Sequence, residues 1–126
     1  MDDDTFSVFS LQTLLKQVFG LESDFAYSGQ DALRSLQTRE AQGRRQYALV
    51  FMDLNMPEMN GLETTSILRR LARQGQVDLA STKVVLYSCL ANTSDLPSLR
   101  AVFDEVANKP ISVPNLRQIL HKYALL

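Results

Sequence analysis

Apolar and polar positions follow two different periods along this chain. From Phe6 to Phe19 the apolar residues recur every three or four positions, which predicts a helix with one buried face. The same spacing predicts helices that open at Ser28-Gly29, run from about Gly61 to Arg73 and span Asp95 to Phe103. A last helix is predicted to start at Ser112, a residue type favoured at helix N-caps.

Between these helical segments lie short apolar runs of the kind that form strands. Tyr47 to Met52 and Lys83 to Tyr87 are almost continuously apolar, which is typical of parallel strands covered on both faces. Val106-Ala107 predicts a brief last strand. Leu21 to Tyr27, with aromatic residues on alternate positions, predicts a further strand near the amino-terminal end.

The alternation of helices and strands predicts one α/β domain over residues 1–126, with a doubly wound parallel sheet and right-handed crossovers. In such sheets the functional site lies at the carboxyl ends of the strands. Four places qualify: the acids before the first helix, Asp53, Ser88 and the segment around Lys109. These positions are therefore the candidate site.

Composition narrows the class of protein. With 13 Lys+Arg against 14 Asp+Glu, the net charge of -1 argues against direct nucleic-acid binding, which normally needs a basic excess. No apolar run approaches the roughly 20 residues that span a bilayer, so we expect no membrane contact. A single cysteine and the lack of a secretory signal predict a reducing, cytoplasmic setting.

The most specific segment is the string D-L-N-M-P-E-M-N-G from Asp53 to Gly61, directly after a predicted buried strand. An aspartate at that point projects its carboxylate into a loop, where it can attack phosphorus and form an aspartyl phosphate. Taken alone, Asp53 is also consistent with an ordinary aspartate that ends a strand. The whole string favours the nucleophile.

This string resembles the phosphoacceptor loop of the receiver domains of two-component response regulators, and the resemblance covers nearly the whole chain. It implies a flavodoxin-like sheet of strand order 2-1-3-4-5. It also implies that Asp53 accepts a phosphoryl group from a histidine kinase or a histidine phosphotransfer protein. Asn55 stands where the family gives a backbone carbonyl to Mg²⁺.

The resemblance assigns roles to four further residues. Asp3 and Asp4 match the acidic pair that holds Mg²⁺ together with Asp53, although acids at a helix N-terminus also suit the helix dipole. Lys109, followed by proline, matches the lysine that bridges the phosphoryl oxygens, although such a pair can occur in any loop. Ser88 matches the hydroxyl residue that moves towards the phosphoryl group, although a serine there can also bond to local backbone.

Two features depart from the family pattern. Val106 occupies the position of the aromatic switch residue, so we expect coupling to the partner face to be weaker or routed differently, with phosphoacceptance retained. Only Met1 precedes the acids at positions 2–4, where the family has an apolar strand. Losing about five buried side chains would cost on the order of 10 kcal/mol. We therefore expect a receiver domain that lacks its N-terminal strand, either as a fragment of a longer protein or with the strand supplied by another chain.

The leading hypothesis is a phosphorylation-dependent switch, either a stand-alone receiver or the C-terminal receiver of a hybrid histidine kinase, which could be membrane-bound. It would not be an enzyme beyond its own phosphorylation and dephosphorylation. The alternative is a pseudo-receiver that binds partners without phosphotransfer. An aspartate-dependent phosphohydrolase is disfavoured because Asn55 stands where that chemistry needs a second acid. The oligomeric state stays open.

Overall fold

The fold is taken from a computed structural model. It describes residues 5–21, 23–26, 28–53, 59–88, 96–109 and 111–125, with side chains from residue 11 onward except at position 96. Within these ranges the helices are α1 (Thr5–Phe19), α2 (Gly29–Ala41), α3 (Gly61–Arg73), α4 (Leu96–Val102) and α5 (Val113–Lys122). The strands are β1 (Leu49–Met52), β2 (Lys83–Ser88) and β3 (Glu105–Asn108). All five predicted helices and three of the predicted strands are therefore confirmed.

The described strands form one parallel sheet in the order β1-β2-β3. Leu49 pairs with Lys83, and Val85 pairs with Glu105, so β2 is hydrogen-bonded on both sides. Five of its six residues are buried. The α/β class with a parallel sheet is confirmed, while the complete order 2-1-3-4-5 stays a prediction.

Alternate residues of β2 face two separate apolar clusters, one on each side of the sheet. Val84 and Leu86 pack towards α2, α3 and α4, whereas Val85 and Tyr87 pack towards α1 and α5. The first cluster contains Leu36, Val50, Met52, Leu68, Val77, Val84, Leu86, Leu99 and Phe103. The second contains Leu11, Leu15, Val85, Tyr87, Ala107, Ile111, Leu116, Ile119 and Leu120. Both faces of the central strand are therefore buried, as its continuous apolar run predicts.

Polar caps explain where three of the helices begin. The side chains of Ser28, Asn60 and Ser112 each accept a hydrogen bond from the backbone amide three residues further on. Each bond satisfies one of the amides that the first helical turn leaves without a partner. Pro114 lies in the first turn of α5, where its missing amide proton costs nothing. The three helices thus start where local sequence specifies.

The predicted strand from Leu21 to Tyr27 is wrong for the described part of that segment, because residues 21 and 23–26 have no regular secondary structure. They lie across a cavity of about 250 Å³ from β1, which also lines it. A strand needs a hydrogen-bonding neighbour at about 4.8 Å, and none of the described strands pairs with this segment. Side-chain contacts hold the segment instead: Tyr47 donates a 2.8 Å hydrogen bond to Asp24, and Arg39 lies over the Tyr47 ring.

Within the described ranges, no helix is both long enough and apolar enough to cross a bilayer.

Candidate functional site

Three strand ends converge at the carboxyl edge of the sheet. Asp53 follows β1 directly, Ser88 is the last residue of β2, and Lys109 follows β3 directly. Because the strands are parallel and in register, these three residues arrive at the same edge. The structure therefore brings together the three described residues that were predicted to handle phosphate.

The carboxylate of Asp53 is held from two directions. The Ser88 hydroxyl donates a hydrogen bond to Oδ1 at 2.9 Å, and the Lys109 ammonium lies 3.0 Å from Oδ2. The side chains of Asp53 and Lys109 are only 7% and 11% exposed. A buried carboxylate requires such compensation, since desolvation of an unpaired charge is costly. The arrangement fixes the carboxylate and places a lysine ammonium and a hydroxyl donor beside it.

Gly61 explains part of the sequence requirement of this loop. A side chain at position 61 would collide with the backbone carbonyl of Asp53. The first turn of α3 therefore packs directly against the end of β1, and only glycine permits this approach. Asn60 caps the same helix by accepting a 2.8 Å hydrogen bond from the amide of Glu63. The last two residues of the motif thus fix the start of α3.

Lys109 is held in place by backbone and ring contacts as well as by Asp53. Its amide donates to the carbonyl of Ser88 at 3.0 Å, which continues the pairing of β2 with β3 by one residue. Its ammonium lies 5.5 Å from the centroid of the Tyr87 ring, within the range of a cation–π contact. Sequence reasoning missed this role of Tyr87, although an aromatic residue one position before Ser88 was a visible signal.

The remaining predicted site residues lie partly outside and partly inside the described ranges. Asp3, Asp4 and Asn55 lie outside the described residues, so their metal-binding roles stay predictions. In the described ranges no group of three or more His, Cys, Asp or Glu side chains could hold a metal ion. Val106 lies in β3 and packs against the cluster on the α2–α4 side of the sheet. The position where the family has its aromatic switch residue is therefore occupied by an aliphatic side chain.

Comparison with known proteins identifies the class. The family model for the response regulator receiver domain matches residues 1–121. Among solved structures, a CheY-like receiver domain from Methylobacillus flagellatus superimposes with a TM-score of 0.77 at 30% identity, covering 97% of this chain and 92% of that one. The receiver domain of sensor histidine kinase PA1611 from Pseudomonas aeruginosa PAO1, described with magnesium in its active-site cleft, gives 0.77 at 20% identity, covering 100% and 94%.

One relative is the hybrid signal transduction histidine kinase L of Dictyostelium discoideum. The alignment covers 98% of this chain at 27% identity, but the chain spans only 7% of the length of that protein. The fold and the family match agree. The chain belongs to the response regulator receiver domain family of two-component signalling.

Proposed function

We propose that Asp53 accepts a phosphoryl group from a histidine of a partner protein, a histidine kinase or a histidine phosphotransfer protein. The observation that carries this proposal is the buried Asp53 carboxylate, held by Ser88 and Lys109 at the carboxyl edge of the sheet. A carboxylate fixed in this way is oriented for in-line attack without first having to be ordered. Kinship with receivers of hybrid histidine kinases supports the choice of donor.

In the proposed reaction a carboxylate oxygen of Asp53 attacks phosphorus, and the bond from phosphorus to the donor histidine nitrogen breaks. The nitrogen keeps the bonding electron pair, and Asp53 becomes an aspartyl phosphate. Charge on the transferring group must be compensated throughout. The Lys109 ammonium and the Ser88 hydroxyl, which contact the carboxylate in the structure, would turn to the phosphoryl oxygens.

We further propose that Mg²⁺ assists this step. Asp53 offers a hard oxygen ligand of the type that Mg²⁺ prefers, and Asp3, Asp4 and the Asn55 carbonyl would complete the protein ligands. The ion would supply charge neutralisation at the transferring oxygens. The PA1611 receiver, with magnesium in its cleft, supports this choice by its similar fold. Apart from its own phosphorylation and dephosphorylation, we propose no catalytic activity.

The test is intact mass after incubation with a small acyl phosphate, with and without Mg²⁺. We expect a gain of one phosphoryl group that needs both Mg²⁺ and Asp53, so that Asp53→Asn abolishes it. Asp31→Asn is the matched control, because Asp31 is exposed in the first turn of α2. A folded wild-type chain that gains no mass would overturn the proposal and favour a pseudo-receiver that only binds partners.

A further inference from the structure

Tyr87 is the aromatic residue that contacts the candidate site, and it lies on a different face of the sheet from Val106. It pairs in register with Ala107, and both belong to the cluster under α1 and α5. Val106 packs against the opposite cluster, under α2 to α4. An aromatic ring is therefore present beside Lys109, but its other contacts lead towards α5.

Three contacts fix the Tyr87 ring. The Lys109 ammonium lies 5.5 Å from the ring centroid, and the ring of Phe51 meets it edge-on at 5.9 Å and 76°. At the far end the Tyr87 hydroxyl accepts a 3.4 Å hydrogen bond from the amide of Ile111, two residues before α5. The side chain is almost fully buried, with 6% of the residue exposed. Its position is therefore determined by packing and by contacts with Lys109 and Ile111.

We propose that Tyr87 is a positioning residue for Lys109. The negative face of the ring attracts the ammonium and limits where it can lie, so that it reaches Oδ2 of Asp53 at 3.0 Å. Lys109 and Ile111 are two positions apart, so one side chain contacts residues on both sides of position 110. When Lys109 shifts to phosphoryl oxygens, its contact with the Tyr87 ring changes, and the ring transmits this change to Ile111, just before α5.

The effect of a Lys109 shift on the ring and on the start of α5 rests on the proposed function. The positioning of Lys109 can be tested in the unphosphorylated protein. The direct readout is the NMR shift of the Lys109 ε-methylene protons, which an aromatic face moves upfield. We expect the upfield shift in the wild type and in Tyr87→Phe, and its loss in Tyr87→Leu. An unchanged shift in a folded Tyr87→Leu variant would overturn the proposal.

The kinetic readout is the phosphorylation rate of Asp53 with a small acyl phosphate and Mg²⁺. Tyr87→Leu should be slower than Tyr87→Phe by roughly threefold to tenfold, the range expected for one partly desolvated cation–π contact. In a Lys109→Gln background the difference should vanish, because the ring would act only through the lysine. An equal loss in both backgrounds would show a purely structural role and refute the inference.

The two parts fail separately. If the wild type gains no phosphoryl group, the proposed function is wrong, and the methylene shift still tests whether Lys109 lies against the Tyr87 ring in solution, without which the ring cannot position it. If phosphorylation occurs but Tyr87→Leu matches Tyr87→Phe in both readouts, only the positioning role is wrong. Urea unfolding of each variant confirms that the compared proteins are folded.

Discussion

Replacement of Lys109 by methionine tests the electrostatics of the site most directly. The change keeps an unbranched side chain of similar length but removes the Lys109 ammonium from beside the Asp53 carboxylate, which is 7% exposed. Removing one partner of a buried ion pair costs about 3–5 kcal/mol, because the remaining charge stays desolvated. The Ser88 hydroxyl still donates to Oδ1, so we expect a loss near the lower end, about 3 kcal/mol.

Such a loss is a large share of the 5–15 kcal/mol that stabilises a typical domain. The assay is urea unfolding at pH 7 in the presence of EDTA, since a bound divalent cation would also compensate Asp53. At a typical slope, a loss of this size lowers the midpoint by about 1.5–2 M. Adding Asp53→Asn to Lys109→Met removes the buried charge and should recover at least half of the loss.

The control variant is Lys122→Met, which breaks the ion pair of Lys122 with Glu105 at the surface. Lys122 is 60% exposed, so this change should shift the urea midpoint far less than Lys109→Met. A Lys109→Met variant as stable as the wild type to within about 0.5 kcal/mol would refute the reasoning, since the pair would then be well hydrated. The reasoning would also be refuted if the double variant, Lys109→Met with Asp53→Asn, lost as much stability as the two single variants lose together.

Three further predictions concern other parts of the fold. Gly61→Ala should destabilise by about 1–3 kcal/mol, measured by urea unfolding, because the new methyl group meets the Asp53 carbonyl; unchanged stability would contradict this packing. Thr65→Val should stabilise by about 1 kcal/mol in the same assay, since the buried Thr65 hydroxyl has no hydrogen-bond partner within the described ranges; a loss of stability would reveal one. The hydrogen bond from Lys122 lowers the pKa of Glu105, although burial opposes this shift. The contact therefore stabilises the fold at pH values above the ordinary pKa of glutamate, and this stabilisation is lost as the pH falls. Glu105→Gln should make the urea midpoint less dependent on pH between pH 6 and about 3, and an unchanged pH dependence would contradict this.

The sequence predicted those parts of the fold that local patterns determine. The helix from Gly61 to Arg73 has the predicted bounds because Asn60 caps it and Gly61 packs against Asp53. The two apolar strands before Asp53 and Ser88 could be read from their composition alone. Asp53, Ser88 and Lys109 met at one edge because parallel strands necessarily end together.

What could not be predicted depends on contacts between distant segments. Leu21 to Tyr27 has the alternation of a strand, but pairing requires a neighbour, and the described residues 23–26 face a cavity beside β1. The role of Tyr87 depends on Lys109, 22 positions later, and on Phe51, in another strand. The local sequence around Tyr87 does not indicate either of these contacts. The metal ligands Asp3, Asp4 and Asn55 remain predictions for a different reason, since they lie outside the described residues.

The parallel sheet also has a kinetic consequence. Residues paired between β1 and β2 are 34 positions apart, and those paired between β2 and β3 are 20 apart. No described strand can therefore pair with a near neighbour through a tight turn, and each pairing must first close a long loop. The apolar central strand stays exposed until both crossovers are in place, and species of this kind associate at high concentration. The yield of refolded protein should accordingly fall as the chain concentration rises, even where the native state is stable.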